Sequence, residues 1–204
     1  MAAPLVGLIL AGGLSRRMGG GDKTLRLLGG RTILARVAER LRPQVDHLLL
    51  NANGPNERFG LDLPVVSDNL PDTPGPLAGI LAGLDHVAAH IPEVRYMLSV
   101  PADCPFLPTD LTARLLAGLG SSRAAYAQSG GRAHPVIGLW DVTLRDELRR
   151  LLVDEDSRRA DSWTQRAGAV AVEWPAAPYD PFFNVNTPEE LDAAGRILEA
   201  HPGI

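Results

Sequence analysis

Short apolar runs alternate with amphipathic stretches along the first 120 residues. Four runs followed by small, proline or polar residues have the pattern of buried strands: 5–10, 47–50, 65–66 and 96–100. Three stretches have apolar residues at helical spacing: 32–41, 77–89 and 111–119, the last with Thr109 or Asp110 as its cap. Because wholly apolar strands need both faces buried, this alternation predicts a parallel sheet covered by helices on both sides.

The second half of the chain departs from this alternation. Residues 124–127 and 136–140 are strand-like and flank the turn 129–132, which predicts an antiparallel excursion of the sheet. Residues 141–152 are helical, 157–166 are polar with a short helix as one interpretation, and 169–173 form another strand. Thr187 then caps a final helix that runs to about residue 200, with Pro188 in its first turn. The pattern predicts an α/β fold with a mostly parallel sheet.

Composition limits the architecture and the location of the protein. The 204 residues are 45% hydrophobic, which suits a single domain spanning 1–204, and no apolar run approaches the ~20 residues that cross a bilayer. No signal peptide is visible, and Cys104 is the sole cysteine, so we expect a cytoplasmic protein without membrane contact. A net charge of −4 argues against nucleic acid as a partner.

A glycine-rich loop with local positive charge follows the first strand. Leu10, Ala11, Gly12 and Gly13 end that strand, and glycines let backbone N–H groups approach a phosphate closely. The loop continues through Arg16, Arg17 and Asp22 to Lys23, the only lysine in a chain with nineteen arginines. Chance could leave one lysine over, but its place beside the loop favours binding of a nucleotide phosphate chain by a compact ammonium.

Asp103 follows the strand 96–100, between Pro101 and Pro105. Ligands of α/β proteins bind beyond the carboxyl ends of parallel strands, and the two prolines fix the direction of this carboxylate. A carboxylate that faces a phosphate site suits Mg²⁺, which is held by few carboxylates together with substrate phosphates and water. The alternative is a turn aspartate bonded to its own backbone, and the neighbouring loop favours the metal.

Polar residues follow two further strands, at 47–50 and 65–66. Asn51 and Asn53 could read the edge of a base or ribose, and Asp68 has a similar place after the third strand. Asparagine is also a routine loop residue, so the alternative is a structural turn. Gly79 lies at a stiff entry into the second helix, whose N-terminus favours an anion.

The last candidate residues lie near the C-terminus and in the antiparallel part. Asn184 and Asn186 alternate with an apolar residue, so both amides would point to one face of an extended segment, although the segment could equally be a turn before the final helix. His134 either lines a substrate pocket or merely leads into its strand. Cys104 is interpreted as a packed side chain, since no nearby histidine would activate it.

These motifs together resemble the nucleotidyltransferase superfamily and, within it, the molybdenum cofactor guanylyltransferases. The resemblance covers nearly the whole chain in order, and residues 157–180 contribute little to it. Its segments are Leu10-Ala11-Gly12-Gly13, Arg17-Met18-Gly19, Asp22-Lys23, Asn51-Ala52-Asn53, Asp68, Gly75-Pro76-Leu77-Ala78-Gly79, Pro101-Ala102-Asp103-Cys104-Pro105, His134-Pro135 and 184–190. It implies a three-layer, Rossmann-like nucleotidyltransferase fold.

The resemblance also implies a reaction, in which the terminal phosphate of molybdopterin, with or without molybdenum, attacks the α-phosphorus of GTP and pyrophosphate leaves. The family holds the nucleotide through the positions of Leu10 to Gly12, Lys23, Asn51, Asp68 and Asp103, and holds Mg²⁺ through Asp103. We assign Lys23 to the phosphates of the nucleotide. We assign Arg17 to the pyrophosphate that leaves. Molybdoenzymes and cofactor-delivery proteins are the partners it suggests.

Two other functions stay open from the sequence. One is a related transferase that uses CTP or UTP with a pterin or a sugar or polyol phosphate. The other is a non-enzymatic protein that binds a nucleotide and delivers the cofactor, and the combination of Asp103 with Lys23 argues against it, because a pure binder needs no metal carboxylate facing the phosphates.

Overall fold

The computed structural model describes residues 4–12, 23–54, 57–70 and 75–204. Nine strands lie in these ranges: β1 Leu5–Leu10, β2 Leu27–Leu28, β3 Arg31–Thr32, β4 His47–Asn51, β5 Val65–Val66, β6 Tyr96–Pro101, β7 Ala124–Ser129, β8 Arg132–Asp141 and β9 Val170–Trp174. Six α-helices accompany them: α1 Ile33–Leu41, α2 Pro76–His90, α3 Leu111–Gly118, α4 Arg145–Val153, α5 Ala160–Arg166 and α6 Pro188–Ala200. Single 3₁₀ turns occur at Lys23–Leu25, Arg42–Gln44, Glu57–Phe59 and Val142–Leu144.

Seven of the strands form one sheet in the order β5-β4-β1-β6-β8-β7-β9. The strands β5, β4, β1 and β6 are parallel, β8 runs antiparallel to both of its neighbours, and β9 is parallel to β7. The predicted α/β fold, with its antiparallel excursion in the second half, is therefore confirmed. The small β2–β3 hairpin lies outside this sheet and was not predicted.

Apolar side chains cover both faces of the central parallel strands, as their wholly apolar sequences require. On one face Ile9 packs with Leu34 of α1 and Leu115 of α3. On the other face Leu8 packs with Ile80 of α2, and α4 and α5 complete that layer. The sheet is thus the middle of three layers. The prediction of one domain over the whole chain stays a prediction.

Helix α6 and the β2–β3 hairpin share a third, smaller cluster that includes Phe106 and Val185. Thr187 caps α6 as predicted, and it does so through a complete capping box with Glu190. None of the helices in the described ranges has the length and hydropathy needed to cross a membrane.

Candidate active site

The carboxyl ends of four parallel strands lie side by side at one edge of the sheet. Leu10 of β1 is in register with Asn51 of β4 and with Pro101 of β6, and Asn51 is in register with Val66 of β5. The N–H of Ala11 donates to the carbonyl of Asn51 at 2.8 Å, so the strands stay paired up to the last residue. Residues that follow these strands must therefore meet above this edge.

Asn51, Asn53 and Asp68 form one hydrogen-bonded group above β4 and β5. The amide nitrogen of Asn51 donates to Asp68 Oδ1 at 2.9 Å and to the carbonyl of Val66 at 3.0 Å. The amide nitrogen of Asn53 donates to Asp68 Oδ2 at 2.8 Å, and its amide oxygen accepts the N–H of Asp68 at 3.0 Å. Because both carboxylate oxygens of Asp68 accept from amides, the three side chains hold each other in fixed directions.

The amide oxygen of Asn51 faces two glycines, and at one of them, Gly79, a larger residue would clash with it. A Cβ built on Gly79 would lie 2.2 Å from Asn51 Oδ1, and one built on Gly12 would lie 3.5 Å from the same atom. Asn51 is 3% exposed, whereas Gly12 lies at the surface. The first turn of α2, the end of β1 and the Asn51 amide thus converge on one point at the rim of the sheet.

Lys23 and Asp103 meet above β1 and β6, although 80 positions separate them in the sequence. The ammonium of Lys23 donates to Asp103 Oδ2 and, at 2.5 Å, to Asn186 Oδ1. The two side chains are only 20% and 11% exposed, so the ion pair is partly withdrawn from water and is screened less than a surface pair. The arrangement gathers a cation, a carboxylate and an amide at the edge where parallel sheets bind ligands.

Asn184 approaches the second oxygen of the same carboxylate. Its amide nitrogen lies 3.4 Å from Asp103 Oδ1, and the thiol of Cys104 donates to its amide oxygen at 3.2 Å. The N–H of Val185 donates to the carbonyl of Asp103 at 2.9 Å, which fixes this segment to the end of β6. Burial, with a smaller contribution from Asp103, raises the pKa of the Cys104 thiol, so it acts here as a neutral donor.

Asn186 is held from the other side by helix α6. Its backbone N–H donates to Glu190 Oε2 at 2.6 Å, and the N–H of Thr187 donates to the same oxygen at 3.1 Å. Glu190 was not predicted to take part in the site. The threonine-to-glutamate spacing of the capping box is the sequence signal that could have identified it.

His134 lies in the first part of β8, near the same edge of the sheet. Its ring is buried against that of Phe182, with centroids 4.9 Å apart, and its Nε2 lies 2.8 Å from the hydroxyl of Ser129. Burial lowers the pKa of this imidazole, which favours the neutral ring. Ser129 and its partner Asp180 were both missed by the sequence reasoning, since neither lies in a recognisable motif.

The structure thus brings most of the predicted site residues to one edge in two groups. Asn51, Asp68 and Gly79 form one group with Gly12, and Lys23, Asp103, Asn184 and Asn186 form the other. Gly13 and Arg17 lie outside the described residues, as do Arg16 and Asp22. The binding roles assigned to all these residues stay predictions.

A sheet edge of parallel strands that carries these polar groups is typical of a nucleotide-binding α/β protein. Comparison with known proteins leads to the same class. Residues 7–170 match the family model of the MobA-like NTP transferase domain, so the protein is a nucleotidyltransferase. A crystal structure of molybdopterin-guanine dinucleotide biosynthesis protein A from Archaeoglobus fulgidus has the same fold, with a TM-score of 0.73 at 22% identity, covering 96% of this chain and 99% of that one.

Relatives with higher sequence identity to this chain identify its family within the nucleotidyltransferases. A molybdenum cofactor guanylyltransferase of Nitrobacter hamburgensis is 56% identical over 98% of this chain and 97% of its own length. One from Rhodopseudomonas palustris is 55% identical over 96% and 94% of the two chains. The chain belongs to the molybdenum cofactor guanylyltransferase family, and the resemblance drawn from its motifs is confirmed.

Proposed function

We propose that this enzyme transfers GMP from GTP to the terminal phosphate of molybdopterin, with or without bound molybdenum, and releases pyrophosphate. The product is the guanine dinucleotide form of the cofactor. The observation that carries the proposal is the junction of Lys23, Asp103 and Asn186 beside the glycine-containing end of β1. Relatives named for this reaction share the whole length of the chain.

The chemistry needs positioning and charge more than it needs a base. The attacking group is already an anionic phosphate, so no strong general base has to remove a proton. The barrier lies in bringing two anions together and in stabilising charge on the departing pyrophosphate. In this proposal the Lys23 ammonium holds phosphate oxygens, and Arg17 is assigned to the pyrophosphate on the sequence alone.

The donor set around Asp103 fits Mg²⁺ bound together with a nucleotide. Among the described residues no group of three or more His, Cys, Asp or Glu side chains could hold a metal ion by itself. One carboxylate with substrate phosphates and water is a common way to hold Mg²⁺, and Asp103 would supply that carboxylate. When bound, Mg²⁺ would neutralise negative charge on the phosphates.

The group around Asn51 is the proposed nucleoside side of the site. The oxygens of Asn51 and Asp68 are acceptors at the rim, and they suit hydroxyls of a ribose or the amino and imino groups of guanine. Gly79 allows the Asn51 amide to approach α2 closely, because a Cβ at this position would lie 2.2 Å from Asn51 Oδ1. This division assigns the base and ribose to β4 and β5, and the phosphates to β1 and β6.

The test is transfer by the purified protein with Mg²⁺ and molybdenum-loaded molybdopterin. GTP should yield pyrophosphate and a pterin–guanine adduct of the expected mass, whereas CTP and UTP at the same concentration should yield neither. Transfer from CTP or UTP instead would favour the related transferase, and nucleotide binding without pyrophosphate release would favour a delivery protein.

Variants of Lys23 test the phosphate role. Lys23→Ala should lower kcat by about 10²–10³-fold, the range typical for losing one charge-stabilising group. Lys23→Arg should recover little of this activity, because a planar guanidinium does not match the directions of the compact ammonium bonded to Asp103 and Asn186. Arg158→Ala, which removes an exposed cation paired with Asp156, is the control and should leave kcat unchanged. Wild-type kcat in Lys23→Ala would contradict the role.

A further inference from the structure

A second buried polar group lies beside the active site, at the turn between β7 and β8. Ser129, the last residue of β7, is 2% exposed, and His134 is 7% exposed. The Ser129 hydroxyl lies 2.8 Å from His134 Nε2 and 2.8 Å from Asp180 Oδ1. The same Asp180 oxygen accepts the N–H of Phe182 at 2.9 Å.

The direction of each hydrogen bond in this group follows from the donors available. A carboxylate only accepts, so the single hydroxyl proton of Ser129 goes to Asp180. The Ser129 oxygen must then accept from His134, whose Nε2 therefore carries a proton. Burial, which lowers the pKa of His134, is consistent with a neutral ring in this tautomer.

This order of contacts excludes a nucleophilic serine. In a serine–histidine–aspartate triad the aspartate orients the histidine, and the histidine accepts the serine proton. Here the aspartate contacts the serine, and the histidine donates to it, so the imidazole cannot act as the base that removes the hydroxyl proton. The group therefore has the hydrogen bonds of a structural contact rather than those of a hydrolase site. We refer to Ser129, His134 and Asp180 as the clamp.

The clamp holds the start of the segment that carries the two active-site amides. Phe182, which follows Asp180 closely, is 1% exposed, and its ring packs on His134 and edge-on to Trp174 at 5.3 Å. From Phe182 the chain runs past Asp103 to the cap of α6, and no regular element fixes this stretch internally. Its position therefore depends on its anchors, and Asp180 is the first of them.

We infer that Ser129, His134 and Asp180 are positioning residues, which fix the segment 180–186 so that Asn184 and Asn186 meet Asp103 and Lys23. The inference rests on the proposed function for its catalytic consequence. The three residues do not touch the reacting phosphates. They act through the placement of the Asn184 and Asn186 amides. Replacement of any of the three residues should displace the segment 180–186 without unfolding the domain.

Ser129→Ala tests this inference against a matched control, Ser99→Ala. Ser99 is also fully buried. Its hydroxyl donates to the carbonyl of Val136 at 2.7 Å and accepts from Trp140 Nε1 at 2.9 Å, and among the described residues its hydrogen-bond partners lie in β8 and not in the segment 180–186. Both variants lose the hydrogen bonds of a buried hydroxyl, so both should lower the unfolding midpoint. Only Ser129→Ala should lower kcat/KM for transfer, by about tenfold or more, as expected when about 1.4 kcal/mol of positioning is lost.

Hydrogen exchange gives a measurement that does not depend on the reaction. In Ser129→Ala the backbone amides of residues 182–186 should exchange faster than in the wild type, including that of Val185, which donates to the carbonyl of Asp103. In Ser99→Ala they should exchange at the wild-type rate. Equal amide exchange in the two variants would overturn the inference, even if the wild type never transferred GMP. Absence of GMP transfer by the wild type would overturn the proposed function alone.

Substitutions of His134 separate the hydrogen bond from the bulk of the ring. His134→Gln keeps an N–H donor near the position of Nε2 and should retain most of the transfer activity, whereas His134→Leu removes the donor and should match Ser129→Ala. Equal loss in both variants would mean that the ring itself contacts substrate. Wild-type kinetics in both would mean that the clamp does not matter, and either result overturns the positioning role.

Discussion

Replacement of Gly79 by alanine should weaken nucleotide binding through a single added methyl group. The new Cβ would lie 2.2 Å from Asn51 Oδ1, 2.8 Å from its Cγ and 2.9 Å from Leu10 Cδ2. The Asn51 amide cannot turn aside freely, because its nitrogen donates to Asp68 and to the carbonyl of Val66. The methyl group must therefore either shift α2 from the sheet or break these hydrogen bonds.

The cost can be estimated from its parts. Overpacking a filled interior costs about 1–3 kcal/mol. Loss of one or two amide hydrogen bonds adds about 1 kcal/mol each. The higher helix propensity of alanine returns about 1 kcal/mol. The free energy of unfolding of Gly79→Ala should therefore fall by about 1–4 kcal/mol, which lowers the unfolding midpoint by about 2–4 °C per kcal/mol in a chain of this size.

Gly83→Ala is the matched control, one turn further along the same helix. Its Cβ would lie 2.5 Å from Leu8 Cδ2 and 2.8 Å from Met97 Sδ, so it also overpacks α2 against the sheet, but against apolar side chains. Titration calorimetry with GTP and Mg²⁺ should show affinity at least about tenfold weaker for Gly79→Ala, the equivalent of 1.4 kcal/mol. Gly83→Ala should bind as the wild type does. Wild-type affinity in Gly79→Ala, or equal weakening in both, would refute the reasoning.

Three further predictions concern charge and protonation. Lys23→Ala should bind Mn²⁺ more tightly than the wild type without nucleotide, because no ammonium then competes for the carboxylate, and a metal titration followed by electron paramagnetic resonance measures this. Burial opposes ionisation of Asp141, but hydrogen bonds from Thr143 and the Arg95 guanidinium hold its pKa below the ordinary value; Asp141→Ala should therefore cost about 0.5–2 kcal/mol at pH 7 in urea unfolding, a difference that shrinks as pH falls through that lowered pKa. Cys104, whose pKa is raised by burial, should resist iodoacetamide at pH 8 in the folded protein and react fully in urea.

The elements of the sheet and its helices were predictable because their residues carry a period or a clear boundary. Wholly apolar runs such as Leu5–Leu10 require a site buried on both faces, and Thr187 with Glu190 is a local cap that needs no tertiary information. Asp110, one of the two residues proposed as the cap of α3, shows what local sequence cannot predict. Its side chain does not cap the helix, and it accepts the indole N–H of Trp174 at 3.2 Å instead. A partner 64 positions away cannot be inferred from local spacing.

The same distinction explains the site. Lys23 and Asp103 could be paired from the sequence, because both follow strands that a parallel sheet sets side by side at one edge. The clamp of Ser129 and Asp180 could not. Ser129 ends β7 and Asp180 lies in the irregular segment after β9, so their contact depends on how that segment returns across the sheet. Long-range contacts between irregular segments leave no regular signal in a single sequence.

The solitary lysine follows from the geometry that surrounds it. Its ammonium contacts the carboxylate of Asp103, just after β6, and the amide of Asn186 in the segment before α6, two groups that come from distant parts of the chain. Three donors that diverge from one small atom can reach partners in such different directions, whereas the paired donors of a guanidinium suit two oxygens in one plane. All other basic residues of this chain, histidine aside, are arginines. The geometry therefore gives a physical reason for lysine at position 23, where the ends of β1 and β6 meet the segment before α6.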